Sequence, residues 1–166
     1  MLADNRTMRD GIVVGLIGYA SVALFYGAFD LLAVRGPLYT VDLLGKAVFR
    51  GLRDPGVVMF PIRPDVTAMF LYNALHLVGA LAIGLIVTSA AVYAERQASK
   101  AYGVLAFIVA GFVVTVFGVG ALTAPMRPVL PWWSIVVANG LATVLAGAYL
   151  LRRRPGLWQR LLPFTG

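Results

Sequence analysis

The chain has 166 residues, of which 60% are hydrophobic and 13% charged, about half the charged share of a soluble domain, roughly 25%. A globule of this size buries only about 70% of its surface, so an ordinary soluble enzyme and a disordered chain are both excluded. The chain reads as an integral membrane protein. The net charge of +7 is assigned first to helix ends and anionic head groups rather than to nucleic acid. The absence of cysteine removes disulfides, thiolate metal sites and dithiol redox chemistry.

Four segments reach the length of about 20 apolar residues that a spanning helix needs. The first is 11–34, bounded by Asp10 and by Arg35-Gly36-Pro37. Its apolar run exceeds the roughly 7–15 residues of a leader's core, so it is read as a retained span. The connection that follows it is about thirty residues long and holds an amphipathic helix over 40–53. Val41, Leu44, Val48 and Leu52 share one face of that helix, while Asp42, Lys46, Arg50 and Arg53 share the other. Thr40 is the expected N-cap, and Asp54-Pro55-Gly56 the expected stop. A basic helix of this kind between two spans is expected in the head-group plane, followed by an extended return over 57–64.

The second span is 66–94, opened by Pro64-Asp65 and closed by Glu95-Arg96. The third is 101–124, closed by Pro125, and the fourth is 131–151, closed by Arg152-Arg153-Arg154-Pro155. The tail carries Leu157, Trp158, Leu161 and Leu162 as expected interfacial anchors. The expected fold is therefore all-α: one transmembrane domain, residues 1–166, in which four helices form a bundle with one interfacial helix between spans 1 and 2.

Four spans put both termini on one side. That side holds eight Lys and Arg residues, among them Arg152, Arg153 and Arg154, against six on the other, which include Lys46, Arg50 and Arg53. The positive-inside rule then places the termini in the cytoplasm, and a basic complement with only two lysines, Lys46 and Lys100, beside abundant Ala, Gly and Val reads as that of a high-GC bacterial genome, hence a bacterial inner membrane. Tyr93, Tyr102 and Tyr149 mark one interface, and Trp132 and Trp133 the other.

Small residues recur four apart inside the spans: Gly11 and Gly15, Ala80 and Gly84, Ala138, Ala142 and Ala146. Such rows let backbones approach closely, either within the bundle or against a partner. Polar residues near mid-membrane need partners of their own. His76, the only histidine, shares a face with Asn73 three residues earlier, while Asn139 and Ser21 lie at comparable depth. Two readings of His76 stand side by side. It exchanges hydrogen bonds with Asn73, Asn139 or a carbonyl across the bundle, or its free ring nitrogen ligates a metal-centred tetrapyrrole. A lone histidine suits a magnesium chlorin, which takes one axial ligand, better than a bis-histidine haem. Asp30 stands near the end of the first span, where it is read as an interface charge or helix-end partner.

No HExxH, phosphate-binding glycine loop or pair of intramembrane carboxylates is present. The chain is accordingly not expected to be an enzyme and no cofactor is expected. The reading that follows is an accessory or scaffolding subunit of a larger bacterial membrane complex, with an energy-transducing one, respiratory or photosynthetic, as the candidate host. Its partners are membrane lipids and other membrane subunits or copies of itself, not nucleic acid. The alternative is a small homo-oligomeric transporter or channel.

Overall fold

The computed structural model describes residues 5–53 and 63–156. Among these the protein is all-helical, with five α-helices: α1 (Asn5–Leu32), α2 (Tyr39–Phe49), α3 (Val66–Arg96), α4 (Ala101–Leu122) and α5 (Trp132–Arg153). All but α2 are long and apolar enough to cross a membrane, which makes this a multi-pass membrane protein. The 22 residues of α4 and of α5 rise about 33 Å, close to the roughly 30 Å hydrocarbon core. The expected return over 57–64 falls almost wholly outside the described residues, and so do the proposed stop at 54–56 and the anchors of the tail.

The first span begins earlier than expected, at Asn5 rather than near residue 11. Arg6, Arg9 and Asp10 extend the helix beyond the apolar region without breaking it: arginine is a good helix former, and the Asp10 carboxylate is turned to Arg154 and Tyr149 rather than to the backbone. The far end closes through Val34, which adopts φ 55°. Arg35 N–H bonds the Asp30 carbonyl and Val34 N–H that of Leu31, the paired bonds of a Schellman ending. Glycine normally takes that left-handed position, and a β-branched residue there costs about 1–2 kcal/mol. Val34 is 91% exposed, so its side chain repays little of this. Val34→Gly should therefore stabilise the protein by about 1 kcal/mol, read as a higher midpoint in detergent unfolding.

The helix α1 is central, lying along α3 and α5, while α4 packs only along one edge of α3 and α5. Close approach of α1 and α3 is set by the small-residue rows. A Cβ on Gly84 would sit 2.5 Å from the Gly11 carbonyl oxygen, and one on Gly15 2.7 Å from Leu81 Cα. Of the two expected uses of these rows, packing within the bundle is the one observed for Gly11, Gly15, Ala80 and Gly84. Two apolar clusters fill the ends. One gathers Val14, Ala91, Ala94, Ala101 and Leu150 on the side of the chain ends. The other gathers Tyr39, Leu43, Leu44, Met126 and Leu130 under α2, against Tyr26 and Tyr72.

The helix α2 differs from its sequence reading in three ways. It stops at Phe49, where Gly51 (φ 70°) turns the chain away, rather than reaching Arg53. Thr40 lies inside the helix and is not its cap; the cap position is Leu38, which offers no side-chain hydrogen bond. The apolar face is also divided: Leu44 is buried in the core while Val48 stays 54% exposed. The reason is lateral packing. Gly45 meets the Ala68 backbone so closely that a Cβ would come 2.6 Å from its carbonyl oxygen, so α2 leans on the first turn of α3.

Candidate functional site: polar clusters at both ends of the bundle and His76 between them

On the side of α2, Asp30 is the hub. Its carboxylate is 1% exposed and accepts from the Thr40 backbone N–H and hydroxyl, both at 2.7 Å. The last turn of α1 thus supplies the acceptor that the first turn of α2 lacks, and sets a negative charge at the positive end of α2. The expectation of a helix-end partner holds, with Thr40 as the donor. Arg35 approaches Asp30 at 3.9 Å and donates to the Val129 carbonyl at 2.8 Å. Its guanidinium lies 5.0 Å from the Phe29 ring centroid and 4.8 Å from that of Tyr39, a desolvated cation–π arrangement. Burial pushes the Tyr39 phenol above its ordinary pKa.

The charged edge of α2 is turned to the protein rather than left free for head groups. Lys46 pairs with Asp42 and donates to the Arg63 carbonyl at 2.8 Å, while Asp42 accepts from Asp65 N–H at 2.8 Å. Arg50 Nε bonds Asp65 at 2.8 Å, and Asp65 in turn caps α3 by accepting from Ala68 N–H at 2.9 Å. Arg53 is exposed, as a head-group contact requires. Hydrogen bonding by Arg50, then by the Ala68 N–H, holds the Asp65 carboxyl below its usual range, and Asp65 raises Arg50. A depressed acid contributes stability above its unfolded pKa, about 3.9, and loses it as pH falls through the lower folded value. Release of α2 from α3, followed by a label on Leu44→Cys, a position buried in the folded protein, in this cysteine-free chain, should be flat between pH 5 and 8 and begin only below about pH 4.

The opposite end holds a cluster the sequence reading missed. Asp10 is fully buried and Arg154 is 9% exposed. The Arg154 guanidinium bonds Asp10 at 3.2 Å, Glu95 at 3.1 Å and the Thr7 hydroxyl at 3.4 Å. Arg153 Nε lies 3.7 Å from the other Asp10 oxygen, to which Tyr149 donates at 3.5 Å. One arginine thereby ties α1, α3 and the end of α5 together. Arg152 is exposed, whereas Arg154, read from the sequence as an anchor beside it, is buried in these contacts. The available signal was spacing. Asp10 and Asp30 are twenty residues apart on one helix, about 30 Å, the thickness of the hydrocarbon core. An acid at each edge of the membrane needs a basic partner from a neighbouring helix end.

At the other membrane edge the tryptophans divide. Trp133 is exposed and meets Phe29 edge-on at 5.6 Å, as a belt residue would. Trp132 instead packs over Gly120, and Arg127 stacks on it at 4.6 Å while donating to the Gly120 carbonyl at 2.8 Å.

Between the ends, the hydrogen bond expected from His76 to Asn73 or Asn139 is not formed among the described residues; both amides, and Ser21 at comparable depth, bond elsewhere. Ser21 Oγ and Asn139 Nδ2 each donate to the carbonyl four residues earlier in their own helix, at 2.6 and 2.8 Å. Asn73 Nδ2 does the same to Met69, and its Oδ1 accepts from Tyr19 at 3.2 Å. His76 is half-buried between two phenol rings, with centroids 5.1 Å away for Tyr19 and 6.2 Å for Tyr72. Interhelical polar contacts come from the longer tyrosines: Tyr19 to Asn73 near mid-span, and Tyr26 to Ser134 at 3.4 Å nearer the α2 end. Thr88 Oγ1 is buried with no hydrogen-bond partner among the described residues. Those residues hold no group of three or more His, Cys, Asp or Glu able to bind a metal ion. No family model, curated protein or solved structure matches the chain.

Proposed function

We propose that the protein is a non-catalytic accessory or scaffolding subunit of a larger bacterial membrane complex, with an energy-transducing complex as its host. In this reading it sits in the inner membrane with both termini in the cytoplasm, and α2 rests in the opposite head-group region, anchored by the exposed Leu32, Leu38 and Val48. The observation that carries the reading is the use made of the acids. Each carboxylate among the described residues, Asp10, Asp30, Asp42, Asp65 and Glu95, is paired with an arginine or lysine. Three of these pairings, Arg154 with Asp10, Arg154 with Glu95 and Arg50 with Asp65, join different helices or their ends; Arg35 with Asp30 closes the turn after α1, and Lys46 with Asp42 sits where α2 meets α3. A carrier working by proton or cation exchange needs an intramembrane acid free to change partner, and these are committed to holding helices in place.

The loosely packed α4 supplies the surface a neighbour would use. Gly103, Gly111 and Gly118 recur on one face, and a Cβ at any of them meets nothing within 4 Å, so a second helix could approach that backbone closely. Purification in mild detergent, followed by native mass spectrometry and an absorption spectrum, tests the reading. Defined co-purifying subunits, lost from a Gly111→Leu/Gly118→Leu variant that still folds, are expected. A homo-oligomer that conducts ions or solutes in vesicles would replace this reading with the transporter. A tetrapyrrole absorbance lost in both His76→Gln and His76→Leu would make His76 a ligand.

A further inference from the structure

We infer that the His76 face of α3 docks a transmembrane helix of another subunit, one that brings a hydrogen-bonding side chain to the imidazole. The inference rests on the subunit reading and adds a second, polar contact to the glycine face of α4. His76 packs against Tyr19, nine residues past Asp10, or about 14 Å of rise. That is close to the middle of a hydrocarbon core about 30 Å thick. Neither ring nitrogen has a hydrogen-bond partner among the described residues. Nor are the two nitrogens sealed off: the enclosed polar atoms without a partner are Thr88 Oγ1 and the Nε atoms of Arg35, Arg127, Arg153 and Arg154. A neutral imidazole carries one donor and one acceptor, and here both reach open space at a depth where hydrocarbon satisfies neither.

The neighbouring residues narrow what completes it. Gly79 and Ile83, three and seven residues on, share the His76 face. Ile83 is 50% exposed, and a Cβ on the exposed Gly79 meets nothing within 4 Å. The open edge is thus bordered by apolar, lipid-facing groups rather than by a polar path for water. A phospholipid does not supply the bond, because its polar atoms stay at head-group level, about 15 Å away. A side chain on another spanning helix does reach the midplane, and the gap over Gly79 lets that helix's backbone come close. A hydroxyl, an amide or a carboxylic acid would pair with the imidazole and itself be withdrawn from lipid. The polar side chains that a second copy would carry at this depth, Ser21, Asn73 and Asn139, are already bonded within their own helices. That favours a different subunit over a copy.

The test purifies the full chain and its variants from native membranes in mild detergent for native mass spectrometry. A defined subunit should accompany the wild type and His76→Gln, whose amide still donates and accepts, and should fall several-fold in His76→Leu. Gly79→Leu, which closes the gap, should release it as well. The unfolding midpoint of the separated chain should be unchanged in His76→Leu, because the imidazole bonds nothing within the chain; a lowered midpoint would make His76 a packing residue and overturn the inference. Benzoylphenylalanine in place of Ile83 should cross-link the same subunit inside a spanning segment, within one helical turn of a hydrogen-bonding side chain. Cross-links to lipid alone or to a second copy would overturn the inference, and so would a subunit that stays bound to both His76→Leu and Gly79→Leu; the subunit reading would survive all three. A wild type that purifies without any other subunit would sink that reading, and this contact with it.

Discussion

Gly84→Leu should separate α1 from α3 and prevent the bundle from assembling. A Cβ at position 84 collides with backbone on the facing helix: the Gly15 amide nitrogen, the Gly11 carbonyl oxygen at 2.5 Å and Gly15 Cα at 2.7 Å. No rotamer relieves a clash that begins at Cβ, and both helices are held at their ends by ion pairs, so neither slides away. Overpacked cores lose about 1–3 kcal/mol when side chains can shift; here the loss should reach or exceed the top of that range. Gly84→Ala should already be destabilising, because the collision needs only one carbon. Gly79→Leu on the same helix, where a Cβ meets nothing within 4 Å, should be neutral. Detergent-unfolding midpoints followed by circular dichroism decide: equal behaviour of the Gly79 and Gly84 variants would mean that close backbone contact does not hold α1 to α3.

Arg154→Leu should be the most damaging single loss of a charge. It leaves Asp10, fully buried, without its main partner, and deprives Glu95 of its ion pair. Removing one member of a buried pair costs about 3–5 kcal/mol, because the remaining charge stays desolvated. Arg153, 3.7 Å from Asp10 and more exposed, compensates in part, which favours the lower end. Adding Asp10→Asn to Arg154→Leu should recover part of the loss, since the stranded charge is gone. Arg152→Leu, at an exposed position of the same triplet, should stay within about 0.5 kcal/mol. If Arg152→Leu and Arg154→Leu lowered the unfolding midpoint equally, the triplet would act only as a topology anchor.

The number and placement of the spanning helices were legible in the sequence because hydrocarbon imposes a one-dimensional rule. A segment either supplies about 20 apolar residues in a row or does not, and backbone bonds inside that segment must close on themselves. The small-residue rows were legible too, yet their use was not: Gly11, Gly15, Ala80 and Gly84 look the same whether they face a helix of this chain or of another. The midplane polar residues failed as a group for a different reason. Ser, Thr and Asn in a helix always have the carbonyl four residues back within reach, so depth and shared face said nothing about pairing across the bundle. Tyrosine, whose hydroxyl stands far from its own backbone, made those crossings.

Sequence by itself thus determined the class of the protein, an all-helical chain with four helices long and apolar enough to span a membrane, since those features depend on composition and period along the chain. Tertiary structure decided what each charge is for. Asp10 and Arg154 are 144 residues apart, and Asp30 meets Thr40 only because Val34 and Gly36, both at positive φ, reverse the chain between them. Charge pairing at a membrane edge depends on which helix ends lie side by side and on how deeply each is desolvated. Neither quantity has a period, so a reading along the chain saw the arginine triplet and the basic face of α2 as surfaces for lipid. The folded protein turns Arg154 and Lys46 onto its own buried acids, Asp10 and Asp42, because a buried carboxylate without a partner costs more than a head-group contact returns; Arg50 pairs with the more exposed Asp65.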